Sequence, residues 1–118
     1  MRDHKKLRAF ELADDLVFAV YASTKSFPRE EQFGLTAQIR RAAVSVPSNI
    51  VEGCARNTEA DFLHFLDMAY SSAREVEYQI SLARRLGYLS DKDFQCLNAK
   101  CEEAAKILNG LIRSFRKS

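Results

Sequence analysis

Residues 38–53 carry the sequence QIRRAAVSVPSNIVEG, which has the apolar spacing of one amphipathic helix although a proline and a glycine interrupt it. Its polar residues recur at intervals of four, three and four positions, which places their side chains on one face. They are Arg41, Ser45, Ser48 and Glu52. The apolar residues of the opposite face predict the buried side, and these are Leu35, Ile39, Ala42, Ala43, Val46 and Ile50. Such a polar stripe predicts either a packed hydrogen-bond network or a surface that faces a ligand or partner.

The packed-network interpretation needs partners on a neighbouring helix. Glu75 of a later helix shares a row with Ser72 and Gln79 and with the apolar residues Met68, Leu82 and Leu86. A half-buried carboxylate there needs a cation, and Arg40 or Arg41 is the natural candidate. Pro47 removes one backbone donor within the stretch, so we expect a kink there. The expected network fixes the register of the helices. Its members are Arg40 or Arg41, Asn49, Glu52 and Glu75.

Four helices are predicted from the apolar period along the chain, at about 10–26, 36–56, 58–86 and 90–115. The last two carry heptad seams, in which apolar residues alternate at spacings of three and four. The seam of the third helix comprises Phe62, Leu66, Ala69, Ala73, Val76, Ile80 and Ala83. The seam of the fourth comprises Phe94, Leu97, Cys101, Ala104, Leu108, Leu111 and Phe115. Residues 1–118 therefore predict a single all-α domain, an up-down-up-down antiparallel four-helix bundle.

Local residue types mark the ends of these helices. Thr36, Thr58 and Ser90 are predicted N-caps, because a short hydroxyl side chain accepts a hydrogen bond from the free amides of a first turn. Gly53 and Gly87 are predicted to lie at the ends of the second and third helices. The short turn after Gly87 should bring the third and fourth helices together in antiparallel orientation.

The apolar surface exceeds what one four-helix bundle covers. The first helix carries two apolar rows, which are Phe10, Val17, Tyr21 and Thr24 beside Leu12, Leu16, Ala19 and Ser23. Outside its seam the third helix also carries Leu63, Phe65, Met68, Tyr70 and Leu82. We therefore expect part of this surface to be buried in a homo-oligomer.

Composition and charge argue against several classes of protein. With 47% hydrophobic and 29% charged residues, the 118-residue chain has the composition of a soluble globular domain. No apolar run has the length of a membrane span or a clean signal-peptide core, so a cytoplasmic protein with no membrane partner is expected. Cys54, Cys96 and Cys101 are odd in number and include no C-x-x-C pair, which argues against a disulfide framework or a zinc site.

A catalytic site is not indicated by the sequence. A di-iron bundle needs two Glu-x-x-His motifs, and in this sequence only Asp61 and His64, three positions apart, come near to one of them. Arg56 precedes His64 by eight positions, which does not fit the tighter arginine–histidine spacing of small helical ribonucleases. Cys54 and His64 are a conceivable nucleophile and base, but no third residue orients them. We therefore expect a non-enzymatic protein with no catalytic residue, no metal and no cofactor.

Basic residues near the helix ends are candidates for phosphate contact, although the net charge of +2 is well below that of a dedicated nucleic-acid binder. These candidates are Arg84, Arg85, Arg113, Arg116 and Lys117. The N-terminal stretch adds Lys5, Lys6 and Arg8. In a ring, repetition of the subunit would multiply this charge into a belt that binds RNA or DNA in a salt-dependent way. The alternative is that these side chains are solvated helix ends.

The chain resembles the bacterial four-helix bundle proteins encoded within intervening sequences of 23S ribosomal RNA genes. The string RRAAVSVPSNI at 40–50 carries most of this resemblance, which extends from Phe10 to about Ile112. Val51 stands where the family usually has alanine, and Cys54 where an aromatic residue or glycine is common. Other matching pieces are FP at 27–28, FGLT at 33–36, DFLHFL at 61–66, EVE at 75–77 and LGYL at 86–89.

The resemblance implies a homo-oligomer, typically a pentameric ring of bundles, and no catalytic residues. The chain is also similar to the accessory proteins of diversity-generating retroelements, which share the bundle, form basic pentamers and bind nucleic acid and a reverse transcriptase. Two functional hypotheses follow. The first is a non-enzymatic oligomer that binds RNA or DNA through basic surfaces. The second is a protein-interaction scaffold without direct nucleic-acid contact.

Overall fold

The computed structural model describes residues 2–116, which form four α-helices and contain no strand, as the sequence predicts. The helices are Arg8–Thr24 (α1), Leu35–Cys54 (α2), Glu59–Arg85 (α3) and Asp91–Arg116 (α4). Short 3₁₀ turns precede the first two helices, at His4–Lys6 and Arg29–Glu31. Within the described range no helix combines the length and the apolar character that crossing a bilayer requires.

Consecutive helices pack side by side and run antiparallel. Ser45 of α2 lies beside Ser72 of α3, whereas Gly53, farther along α2, lies against Phe62 and Phe65, which come earlier in α3. Because α1 also packs on α4, the four helices close a ring around the core. The molecule measures 45 × 23 × 19 Å, the elongated shape of an antiparallel bundle.

The core follows the seams predicted for α2 and α3, since every residue assigned to those two faces is buried. Towards the end of α4 the buried face shifts: Ala105 and Ile112 are buried, whereas Leu111 is only partly covered. In α1 the buried stripe includes Leu16 and Thr24, one from each predicted row, whereas most other members of those rows are only partly covered and flank it. Its residues are Ala9, Ala13, Leu16, Val20 and Thr24.

Hydrogen bonds at the helix ends confirm two of the three predicted N-caps. The Asp61 amide donates to Thr58 Oγ1, and the Asp93 amide donates to Ser90 Oγ, each over 3.1 Å. The prediction for Thr36 is wrong, because α2 already begins at Leu35 and the buried Thr36 hydroxyl has no hydrogen-bond partner among the described residues.

The first turn of α2 is capped instead by a carboxylate from the preceding connector. The Leu35 amide donates to Glu31 Oε1 over 3.0 Å, and the Tyr88 hydroxyl donates to Glu31 Oε2 over 2.8 Å. The Leu35 amide, and secondly the Tyr88 hydroxyl, lower the pKa of Glu31. The same hydrogen bond raises the pKa of Tyr88, since it favours the protonated phenol. Glu31 thereby joins the start of α2 to the turn between α3 and α4.

Two of the glycines have different structural roles. Gly87 has a φ of 82°, and the following Tyr88 amide donates to Ala83 O over 2.9 Å, which ends α3 in a Schellman motif. Gly53 lies in the last turn of α2, where a Cβ would stand only 2.9 Å from Phe65 Cβ. Gly53 therefore lies at the end of α2, as predicted, and also permits the close approach of α2 and α3.

Candidate functional site

The side of α2 that faces α3 carries a small network of hydroxyl and amide groups. Ser45 Oγ and Ser72 Oγ are 2.9 Å apart, which joins the two helices near their middle. Asn49 Nδ2 donates to Ser45 O over 2.8 Å and to Ser45 Oγ over 3.0 Å. All three side chains are half-buried, so the network contributes to the packing and register of α2 on α3.

Arg40 lies on the other side of α2 and contacts α1. Its Nε donates to Thr24 Oγ1 over 2.8 Å, and its guanidinium carbon is 4.7 Å from the centre of the Tyr21 ring. The Thr24 hydroxyl in turn donates to Val20 O over 2.8 Å. The expected pairing of Arg40 with Glu75 is therefore wrong, because consecutive helical residues point about 100° apart and position 40 turns towards α1.

Glu75 is exposed rather than half-buried, so it does not need a buried counter-charge. Its nearest polar partner is Gln79, whose Nε2 lies 3.4 Å from Glu75 Oε2. Arg41 and Glu75 line the same open groove, but no ion pair within 4 Å joins them. The predicted charge network between α2 and α3 is thus replaced by the neutral contacts of Ser45 and Ser72.

Pro47 and the remaining polar residues of the predicted stripe do not join this network. Pro47 is buried, and α2 continues through it without a break in the helix. Ser48 is exposed. Glu52 forms an exposed pair with Arg56 of 3.9 Å, which is the weakest class of salt bridge. The polar residues of 38–53 therefore lie in separate environments, although helical spacing gives some of them a common face.

A shallow groove runs outside the serine network, between α2 and α3, with a volume of about 340 Å³. Its walls include Asn49, Ser72, His64 and Asp67. His64 is exposed, and Cys54 is buried in the core, where burial raises the pKa of its thiol. These properties oppose the conceivable nucleophile–base pair, since an active cysteine needs a lowered pKa. Residues 2–116 contain no cluster of three or more metal-binding side chains.

The predicted phosphate-contacting arginines lie at two opposite ends of the 45 Å bundle. At one end, Arg84 Nε donates to Asp91 Oδ1 over 3.0 Å. At the other, Arg116 forms a two-pronged contact with Asp67 at 3.1 and 2.6 Å. Those two carboxylates offset the charges of the arginines that they bind.

Arg85 and Arg113 are exposed, one at each end, and neither forms an ion pair with a residue in the 2–116 range. Lys117, the fifth predicted contact, lies outside the described residues. Each end therefore presents one arginine that is held by a carboxylate and one that is not.

The N-terminal segment adds a contact that sequence reasoning missed. The Arg2 amide donates to Cys54 O over 2.7 Å, and the Arg2 guanidinium carbon lies 4.0 Å from the Phe62 ring centre and 5.2 Å from that of Phe115. This cation–π contact places the N-terminal segment against the ends of α2, α3 and α4. The helical period of the sequence does not predict this contact, because the contact joins residues far apart in sequence.

Comparison with known proteins identifies related chains. A family model described as 23S rRNA-intervening sequence protein matches residues 5–110. Among solved structures, a protein with unknown function from the S23 ribosomal protein family of Bacteroides thetaiotaomicron VPI-5482 is similar, with a TM-score of 0.82 and 25% sequence identity. The similarity covers 89% of this chain and 95% of that one. No curated protein matches the chain significantly.

Proposed function

The chain belongs to the family of 23S rRNA-intervening sequence proteins, and from that premise we propose that it is a non-enzymatic homo-oligomer that binds RNA or DNA. One observation carries the nucleic-acid part of the proposal. Lys5, Lys6 and Arg113 are exposed at the end of the bundle where α1 starts and α4 ends, and none has a carboxylate within 4 Å in residues 2–116. Cations without local partners are available to phosphates, and binding through them depends on salt.

Self-association is supported by the apolar side chains that the bundle leaves uncovered. Phe33 is 89% exposed, Phe18 70% and Tyr78 60%. Much of the surplus expected on α3 is absorbed within the chain, since Leu63, Tyr70 and Leu82 pack against the core. The uncovered aromatic side chains are large, and their burial between subunits would remove apolar area from water.

Light scattering coupled to gel filtration tests the oligomer. A pentamer has five times the 13.4 kDa mass of the chain. Replacement of Phe33 or Tyr78 by aspartate should lower that mass if the side chain lies between subunits, because burial of a carboxylate is costly. A wild-type protein that elutes as a 13.4 kDa monomer at micromolar concentration would contradict self-association.

The two ends of the bundle supply a matched pair of variants for nucleic-acid binding. Arg113→Gln/Arg116→Gln and Arg84→Gln/Arg85→Gln each remove one carboxylate-bound and one unpaired arginine. Fluorescence anisotropy with a labelled single-stranded RNA should show weaker binding for the first variant, with a salt slope that falls by about 1 for each phosphate no longer bound. The second variant should retain more of the affinity. Equal effects at both ends, or no binding at low salt, would contradict the proposal.

A protein-interaction scaffold is the alternative function, and the exposure of Phe33 and Phe18 favours it. These side chains suit a protein surface better than a phosphate backbone. If the assembled protein shows no salt-dependent retention on RNA or DNA, while aspartate at Phe18 or Phe33 leaves its mass unchanged, those residues remain available to a protein partner and this alternative replaces the first.

A further inference from the structure

A second cleft of about 410 Å³ lies where α1 ends, the connector turns and α2 begins. Three cationic side chains line it, from Lys25, Arg29 and Arg40, and no acidic residue contributes to its lining. The excess of positive charge is local, since the whole chain carries only +2. The cleft lies at the opposite end of α1 from Lys5 and Lys6, so it is distinct from the surface proposed above for nucleic acid.

Arg40 is held in this cleft in a fixed orientation. Its Nε is bound to Thr24 Oγ1 at 2.8 Å, and its guanidinium group lies over Tyr21 at 4.7 Å. The two terminal nitrogens have no hydrogen-bond or ion-pair partner among residues 2–116. A guanidinium anchored through Nε loses little conformational entropy on binding, and its free nitrogens match a pair of oxygens on one anion.

A buried hydroxyl in the same wall also lacks a partner. Thr36 is only 8% exposed, it lines the cleft, and its Oγ1 makes no hydrogen bond within residues 2–116. Gln32, beside it in the lining, carries a side-chain amide with donors of its own. Because the Thr36 oxygen is closed off from solvent, Gln32 is the neutral donor that a ligand in the cleft can reach.

Two backbone carbonyls beside the cleft already accept hydrogen bonds within the protein. The Thr24 hydroxyl donates to Val20 O, and the Phe27 amide donates to Thr24 O over 3.1 Å, which removes two carbonyls at the end of α1 as free acceptors. The nearby Glu31 carboxylate binds the Leu35 amide and the Tyr88 hydroxyl, outside the lining of the cleft. Recognition in the cleft therefore relies on side chains and not on the first amide of α2.

We propose that this cleft binds the phosphate group of a small phosphorylated ligand. Arg40 binds two phosphate oxygens, Lys25 and Arg29 offset the charge, and Gln32 donates to a remaining oxygen. A volume of about 410 Å³ exceeds what one phosphate needs and lies in the range of small-molecule sites. The site does not depend on the proposed nucleic-acid surface, because the two lie at different ends of α1.

An amide chemical-shift titration with sodium phosphate tests the site directly, with sodium chloride of equal ionic strength as the reference. The expected result is saturable shifts confined to about residues 24–40. Arg40→Gln should weaken binding roughly ten- to a hundredfold, since it removes a charge-assisted contact. Arg41→Gln is the matched control, because it makes the same change at the next position, outside the cleft, and should leave the affinity unchanged.

The same spectra show whether each variant is folded, which separates a loss of binding from a loss of structure. If Arg40→Gln loses its dispersed spectrum, the Lys25→Gln/Arg29→Gln double variant replaces it, because both side chains are exposed. Retained phosphate binding in that double variant would overturn the proposal. So would an equal response to chloride, or an equal loss in Arg41→Gln.

Two further ligands identify the source of the phosphate. A nucleoside 5′-monophosphate carries a terminal phosphate, whereas a dinucleoside monophosphate carries only an internal phosphodiester. Tighter binding of the first assigns the cleft to a terminal phosphate, and equal binding assigns it to a backbone phosphate. Failure of both, together with failure of inorganic phosphate, would exclude the site while leaving the nucleic-acid proposal for the other end intact.

Discussion

The two sides of α2 differ in the chemistry of their contacts. Towards α3, Ser45 makes neutral hydrogen bonds with Asn49 and Ser72. Towards α1, Arg40 uses one nitrogen and its aromatic stacking to fix its position and leaves two nitrogens without partners among residues 2–116. One helix therefore makes a contact of neutral groups that bind one another on one side, and on the other side a cationic contact that retains binding capacity. The difference indicates that the α3 side serves packing and that the α1 side is the better candidate for recognition.

The largest expected loss of stability comes from disturbing the close packing of α2 against α3. Gly53→Ala places a Cβ 2.9 Å from Phe65 Cβ and 3.2 Å from Phe62 O, so the helices must separate. We expect a loss of about 2 kcal/mol in the free energy of unfolding, measured in urea. Gly110→Ala is the matched control, because a Cβ there meets nothing within 4 Å. It should stabilise α4 by up to about 1 kcal/mol. Equal changes at the two glycines would show that the close approach is unimportant.

The second-largest loss of stability is expected from substitution of Arg40, on the side of α2 that faces α1. Arg40→Met keeps the aliphatic stem but removes the hydrogen bond to Thr24 and the cation–π contact with Tyr21. The expected loss is about 1–2 kcal/mol in urea unfolding. Arg41→Met, at an exposed position, should stay within about 0.5 kcal/mol of wild type. If the two variants are equally stable, Arg40 is not anchored as described.

A smaller effect is expected from the serine pair. Ser72→Ala removes the partner of Ser45 Oγ but leaves the Asn49 contact in place. Because Ser45 Oγ still accepts a hydrogen bond from Asn49 Nδ2, we expect a loss of only about 1 kcal/mol. Ser71→Ala, at a neighbouring exposed position on the same groove, should change stability by less than about 0.5 kcal/mol. If the Ser72 variant is as stable as the Ser71 variant, the serine network does not contribute to the register of α2 on α3.

The smallest expected effect is the pH dependence from the Glu31 cap. Its pKa is lowered in the folded protein, so its contribution to stability is present above its ordinary value near 4.5 and is lost as the pH falls through the folded pKa. Glu31→Gln should remove this part of the acid dependence. Tyr88→Phe should only reduce it, since the Leu35 amide, the larger cause, remains. Urea unfolding from about pH 3 to 7 measures it, and identical profiles for wild type and Glu31→Gln would contradict the assignment.

The sequence predicted what depends on local or periodic information. The α3 seam and the Thr58 and Ser90 caps follow from spacing and residue type within a few positions, and all are confirmed. The family was recognised from the string at 40–50, and the match over residues 5–110 confirms it. The position of Arg40 was not predictable in this way, because the choice between α1 and α3 depends on which helix lies on each side.

Other features that the sequence did not predict also depend on contacts between separate parts of the chain. Thr36 has the right residue type for a cap, but the carboxylate of Glu31 reaches the start of α2 from the preceding turn. On α1, the two predicted rows include the buried Leu16 and Thr24 but omit Ala9 and Ala13, which are buried because small side chains allow close packing. The contact of Arg2 with Phe62 joins distant parts of the chain and leaves no periodic pattern.

A double-mutant cycle between Arg40→Gln and Glu75→Gln tests most directly whether the two sides of α2 are independent. Urea unfolding of the wild type, both single variants and the double variant gives the coupling free energy. Because Arg40 contacts α1 and Glu75 is exposed on α3, we predict a coupling within about 0.5 kcal/mol of zero. A favourable coupling of about 1 kcal/mol or more would show that the two charges interact across α2 and α3 and would contradict the separation of the two sides.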